Sequence, residues 1–182
     1  MSTRFEQLGR MEDLEEGITC HRHALALRPH GHPNRSFSLS ILANAMYTRF
    51  EQSRSHGDLL DAVKYLSEAK TILPTGHPSQ SRIESSLASI FLIQCDVSEW
   101  DESLHMMTKA FELFKHAADH SPANAKDWFN AAIIWAGEAH RRDHQSALDA
   151  YTKSLTLLVR RLGPYYRVSA KYPCYCTEGT CP

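Results

Sequence analysis

Apolar residues recur through most of this chain at intervals of three and four, the spacing that lines one face of an α-helix. Leu14, Ile18 and Leu25 form one such stripe, and Leu59, Val63, Leu66 and Ala69 form another. No Val-, Ile- or Thr-rich stretch alternates strictly between apolar and polar, so no strand is expected. The longest apolar runs, Ala88–Ile93 and Ala131–Trp135, have the size of core-helix segments. A bilayer span needs about 18 residues or more, so no transmembrane helix is expected.

The pattern repeats itself at an offset of 45 residues. Arg4-Phe5-Glu6-Gln7 recurs as Arg49-Phe50-Glu51-Gln52, Asp13-Leu14 as Asp58-Leu59, and Gly31-His32-Pro33 as Gly76-His77-Pro78. Ala24, Pro29, Ser36, Ser40, Leu42 and Ala43 recur as Ala69, Pro74, Ser81, Ser85, Leu87 and Ala88. Fifteen identities across 45 aligned pairs indicate a duplicated unit, and a period of this length means a stacked array of repeats.

Each unit reads as two helices. Asp13, Asp58 and Ser98 stand where an N-cap would satisfy the free amides of a helix start, each with an acid three residues on. The Gly-His-Pro segments read as turns that end one helix, with Pro33 and Pro78 at the first position of the next. The expected fold is an all-α, right-handed solenoid of seven or eight helices over residues 1–162. It holds about three full units and a partial N-terminal one, whose first helix is cut to Met1–Leu8. Ala43, Ala69, Ala88 and Ala110 are expected where helices cross closely.

These positions resemble the tetratricopeptide (TPR) repeat. Leu42-Ala43 with Met46 is similar to its first helix, and Ala62, Leu66, Ala69 and Pro74 to its second. The unit is longer than the usual TPR repeat by about two helical turns within the pair, so the first helix can lengthen without losing its buried face. Later copies follow with decay: Leu87, Ala88 and Phe91, then Trp100, Ser103, Met107 and Ala110, then Trp128, Ala131, Ala132 and Trp135, then Ala147, Tyr151 and Ser154. The Gly-His-Pro turn followed by Arg35-Ser36 resembles the long TPR units of kinesin light chains, and those of fungal arrays that precede a caspase-like CHAT domain. The resemblance implies a non-enzymatic protein-interaction scaffold. It also leaves an alternative, a regulatory or sensor fragment of a longer TPR–CHAT protease.

Composition narrows the partners. With 20 Lys+Arg against 21 Asp+Glu, the chain is not built to neutralise nucleic acid or anionic lipid. Five cysteines, three of them in the last nine residues, do not form a disulfide framework, and the start has no apolar signal region. A cytoplasmic protein is expected. No nucleophile elbow, phosphate-binding loop, dinucleotide turn or zinc-protease helix occurs, so neither catalysis nor a cofactor is expected. Cys20 and His23 lie one helical turn apart, and His30 and His32 lie nearby, but no second pair repeats that spacing. A metal site is therefore not expected. His32 and His77 read as capping or packing groups, Trp100, Trp128, Trp135 and Tyr151 as packing, and Glu138–Asp143 as a solvated turn. The Tyr- and Cys-rich segment 163–182 reads as a disordered or irregular tail.

In a TPR array the first helices line a concave surface. Transferred here, that surface is Ser40, Asn44, Tyr47 and Thr48, then Arg82, Ser85, Ser89 and Ile93, then Lys126, Phe129, Asn130 and Ile133. It carries too few cations for the carboxylate clamp some TPR proteins use, and better suits an extended or helical peptide or protein segment held by hydrogen bonds and apolar contacts. At the other end, Leu155, Leu157, Leu158 and Val159 are expected to leave apolar surface uncovered. That surface would dock another copy, the tail, or a further domain.

Overall fold

A computed structural model describes residues 11–97, 100–119 and 125–169, with side chains as far as residue 160 except those of 100–102 and 125. The partial first helix Met1–Leu8, the cap at Ser98 and the end of the tail lie outside the described residues, as does the side chain of Trp100. Among the described residues there are seven helices and no strand. They are α1 Met11–Ala26, α2 Arg35–Ser53, α3 His56–Ile72, α4 Gln80–Val97, α5 Trp100–Asp119, α6 Ala125–Arg141 and α7 Ala147–Ser169. None is long and apolar enough to cross a membrane.

The helices associate as pairs: α2 with α3, α4 with α5, α6 with α7. Successive pairs meet through α3 against α4 and α5 against α6, and α4 also touches α6, while α1 closes the first pair. Each pair buries its stripe against its neighbours, which makes the described residues an all-α solenoid. Leu39, Leu42, Met46, Phe50, Leu59, Leu66 and Phe114 are sealed in its core. Ala43, Ala69, Ala88 and Ala110 are all 0% exposed. A longer side chain at any of them would have to displace a neighbouring helix.

The extra length of the repeat lies in the helices. α2 has 19 residues and reaches α3 through Arg54 and Ser55 alone. Arg54 makes this possible by adopting the left-handed conformation at φ 54°, with its amide donating to the Phe50 carbonyl at 2.8 Å. Asp58, expected as a cap, therefore lies inside α3. Ser55 precedes the helix, and the Asp58 carboxylate receives the Arg49 guanidinium at 2.5 and 3.0 Å. Asp13 likewise lies inside α1.

The Gly-His-Pro turns depart from the sequence expectation at the prolines and keep it at the histidines. Gly31 and Gly76 take positive φ of 91° and 81°, and the helices begin at Arg35 and Gln80, two residues after the prolines. The histidines do the capping. His32 Nδ1 accepts the Asn34 amide and His77 Nδ1 the Ser79 amide, both at 3.1 Å. The same device occurs a third time without Gly or Pro. Asp143 takes φ 50° and His144 Nδ1 accepts the Ser146 amide at 3.2 Å, opening α7.

Three further expectations change. Residues 138–143 are more than a solvated turn, because Arg142 forks onto Asp96 at 2.7 and 2.8 Å and reaches the Leu92 carbonyl at 3.1 Å. That fork ties the end of α6 to α4 and holds the Asp96 carboxyl below its usual range. Tyr151 is exposed, not packed inside, and meets the His140 ring edge-on. Helix α7 continues through Gly163 and Pro164 to Ser169, so the boundary expected at residue 163 falls within a helix.

Candidate functional site

Helix α4 is the most enclosed element, packed by α3, α5 and α6. Between Gln80 and Cys95 only Arg82, Ser86, Ser89 and Ile93 escape full burial. These four recur at steps of four, three and four, one stripe along the helix. It faces α2, and two hollows lie between the helices. The upper one, about 240 Å³, is lined by Ser36, Phe37 and Ser40 of α2 and by His77, Arg82 and Ile83. The lower one, about 330 Å³, is lined by Asn44 and Tyr47 of α2 and by Ser86, Ser89, Ile90 and Ile93 of α4. Lower-numbered residues of α2 and α4 meet in the upper hollow and higher-numbered residues of both in the lower one, so the helices run parallel and the hollows follow one another along a furrow.

The structure thus brings Ser40 and Arg82 together, and Asn44, Tyr47 and Ser89 together. Ser85 does not belong with them. It is buried, one turn beyond Ser81, whose hydroxyl donates to the Ala117 carbonyl of α5. Ser86, one residue further on, lines the lower hollow instead. Lys126 and Asn130 are exposed on α6 and Phe129 is half-buried there, and none of the three lines either hollow.

The chemistry of the furrow is that of a hydrogen-bonding, partly apolar slot. Ser40 and Ser89 donate to the carbonyls of Ser36 and Ser85, at 2.9 and 3.0 Å, which leaves their oxygens as acceptors. Burial raises the Tyr47 phenol above its usual value, and a hydrogen bond to Glu51 adds to the shift, so it remains a protonated donor at neutral pH. Asn44 offers both a donor and an acceptor from an exposed position. Arg82 is the furrow's cation, at its upper end.

A larger hollow, about 470 Å³, opens among Phe111 and Lys115 of α5, Trp135 of α6, and His144, Ser146 and Asp149. Three of its polar groups already serve the fold. Trp135 Nε1 donates to Ser146 Oγ at 3.0 Å, and Ser146 Oγ lies 2.8 Å from His144 Nδ1. The His144 ring stacks on Phe111 at 4.1 Å, and burial lowers its pKa from 6.5. The sequence analysis did not mark this cluster, since Asp143-His144-Gln145-Ser146 lacks the glycine and proline of the two Gly-His-Pro turns and shares only its histidine and, with the second, its serine. Among the described residues, no group of three or more His, Cys, Asp or Glu is disposed to hold a metal. His32 Nδ1 already accepts the Asn34 amide.

The described residues form an array of stacked helix pairs. No family model matches the chain, and no curated protein matches it. Among solved structures it is similar to a crystal structure from Podosopora anserina, of nearly identical TPR-like repeats in a protein assigned as a kinesin light chain. The two share 16% identity over 87% of this chain and 92% of that one, with a TM-score of 0.42.

Proposed function

We propose that this chain is a non-enzymatic, cytoplasmic interaction module that holds a peptide or protein segment in the furrow between α2 and α4. The observation that carries this reading is the lower hollow. Asn44, Ser86 and Ser89 offer hydrogen bonds there, beside an apolar wall of Tyr47, Ile90 and Ile93. An extended segment would bond through its backbone to the polar side and seat one apolar side chain against the wall. Both helices that form the slot are anchored by their own pairs, so the slot is set before a ligand arrives and little ordering cost falls on the protein.

A peptide-library selection against the full chain tests this reading. Selected peptides should share an apolar anchor residue, and Ser89→Arg, which fills the hollow, should weaken them at least tenfold. Selected peptides that bind Ser89→Arg as tightly as the parent would overturn the proposal.

A further inference from the structure

The outer face of α7 is apolar and uncovered. Leu148 is 76% exposed, Leu155 63% and Val159 69%, and Tyr151 flanks them, also exposed. Ala150 and Leu157, on the opposite side of the helix, are buried in the core. The stripe expected from the sequence was Leu155, Leu157, Leu158 and Val159. The structure keeps Leu155 and Val159, takes Leu157 into the core, half-buries Leu158, and adds Leu148 and Tyr151. Residues 148, 152, 155 and 159 lie on one line down the helix, and Thr152 sets a small, exposed side chain between the larger ones.

The charges beside this line are arranged in a particular way. Asp149 and Arg160 are both exposed and lie on the same flank of the stripe, eleven residues apart, or about 16 Å along the axis. When two such helices pack antiparallel about a two-fold axis, the same flank of each lies on the same side of the contact. Position 149 of one copy then meets position 160 of the other, twice. The apolar residues pair by the same operation: Leu148 opposes Val159 of the second copy, and Leu155 opposes its Thr152, small enough to receive it. One axis near residue 154 satisfies both patterns. The remaining cation of this stretch, Lys153, is engaged with Asp119 of α5 and does not compete.

We propose that this face joins two copies of the chain, α7 against α7 in antiparallel register, with Asp149 of each paired with Arg160 of the other. The contact is isologous, so it closes at a dimer. It is also small, so association is reversible, at about 10–100 μM. It lies on a different helix from the α2–α4 furrow and stands or falls independently of it.

Sedimentation velocity on the full chain, across a concentration series spanning that range, tests the proposal. The parent should shift from monomer to dimer, and Leu155→Glu should remain monomeric with unchanged circular dichroism. Asp149→Arg and Arg160→Asp should each weaken association severalfold by placing like charges opposite one another. The double exchange D149R/R160D should restore it to the parent level. A parent that stays monomeric throughout, a Leu155→Glu variant that still dimerises, or a double exchange no better than its singles would each overturn the proposal. Peptide binding by Leu155→Glu reports on the furrow separately, because that substitution does not touch it.

Discussion

Glu84 and Leu39 occupy the same position of successive repeats, and both are fully buried. Leu39 belongs to a purely apolar core. Glu84 sits where three helices meet, 3.1 Å from Lys70 Nζ of α3, 2.9 Å from His116 Nδ1 of α5, and 3.2 Å from the Gln80 amide of its own helix. Burial alone would raise its pKa. The bonds from His116, Gln80 and Lys70 outweigh that and hold it below 4.5.

Glu84→Leu tests whether this network stabilises the fold or only fixes how the units meet. Lys70 and His116 have side chains 35% and 56% exposed, so both can turn to water once the carboxylate is gone. Replacement of a buried ionic cluster by an apolar side chain is often neutral, or stabilising by about 1–4 kcal/mol. Urea denaturation should show no loss of stability. A loss above about 2 kcal/mol would mean the network stabilises the junction more than a leucine can.

Arg49→Met should behave in the opposite way. Asp58 is buried with its carboxylate forked by Arg49, and Glu15 of α1 meets the same guanidinium at 3.1 Å. Removing the cation strands a buried charge, which costs about 3–5 kcal/mol. The same denaturation experiment should show Arg49→Met far below the parent, and a change under about 1 kcal/mol would contradict the assignment.

Gly76→Ala isolates the backbone. A Cβ at this residue would meet nothing within 4 Å, so any cost comes from its φ of 81°. That cost is about 1–2 kcal/mol for a left-handed conformation. Thermal unfolding should show it as a lower Tm with an unchanged helical spectrum, and an unshifted Tm would contradict the turn geometry.

The His-capped turn that opens α7 makes stability depend on pH, and the environment of His144 sets the direction. Burial lowers its pKa from 6.5, so the folded chain holds this proton more weakly than the unfolded chain does. Its contribution is therefore complete above pH 6.5 and drains as the pH falls below that value. Asn at this position can accept the Ser146 amide without titrating. Denaturation of His144→Asn from pH 7.5 to 5 should show a shallower decline than the parent, whatever its absolute stability. Parallel curves would contradict the capping role.

Much of this architecture is legible in the chain because it is repeated. Ala43 and Ala88 are copies, both fully buried, and a close helix crossing leaves the same mark each time. Features that are not copied were not legible. Glu84 replaces a leucine and reads as a surface residue until Lys70 and His116 arrive from two other helices. The turn at Asp143-His144 has neither Gly nor Pro, because Asp tolerates the left-handed region well enough to replace glycine. Arg142 finds Asp96 across 46 residues, a pairing no local pattern encodes. The furrow was half legible. The resemblance to TPR units marked Ser40, Asn44, Tyr47, Arg82 and Ser89, but α4 is buried nearly all round, and its exposed stripe is so narrow that Ser85 falls inside and Ser86 beside it lines the hollow.

The central claim is that the α2–α4 furrow is the ligand-binding surface, and amide chemical-shift mapping of the full chain with a selected peptide tests it most directly. Shifts should concentrate at Asn44, Tyr47, Ser86, Ser89 and Ile93, with Arg82 and Ser40 following for longer peptides, while α3, α5 and α7 stay unmoved. A saturating peptide that shifts α5 or α7 and leaves Asn44, Ser86 and Ser89 in place would contradict the account.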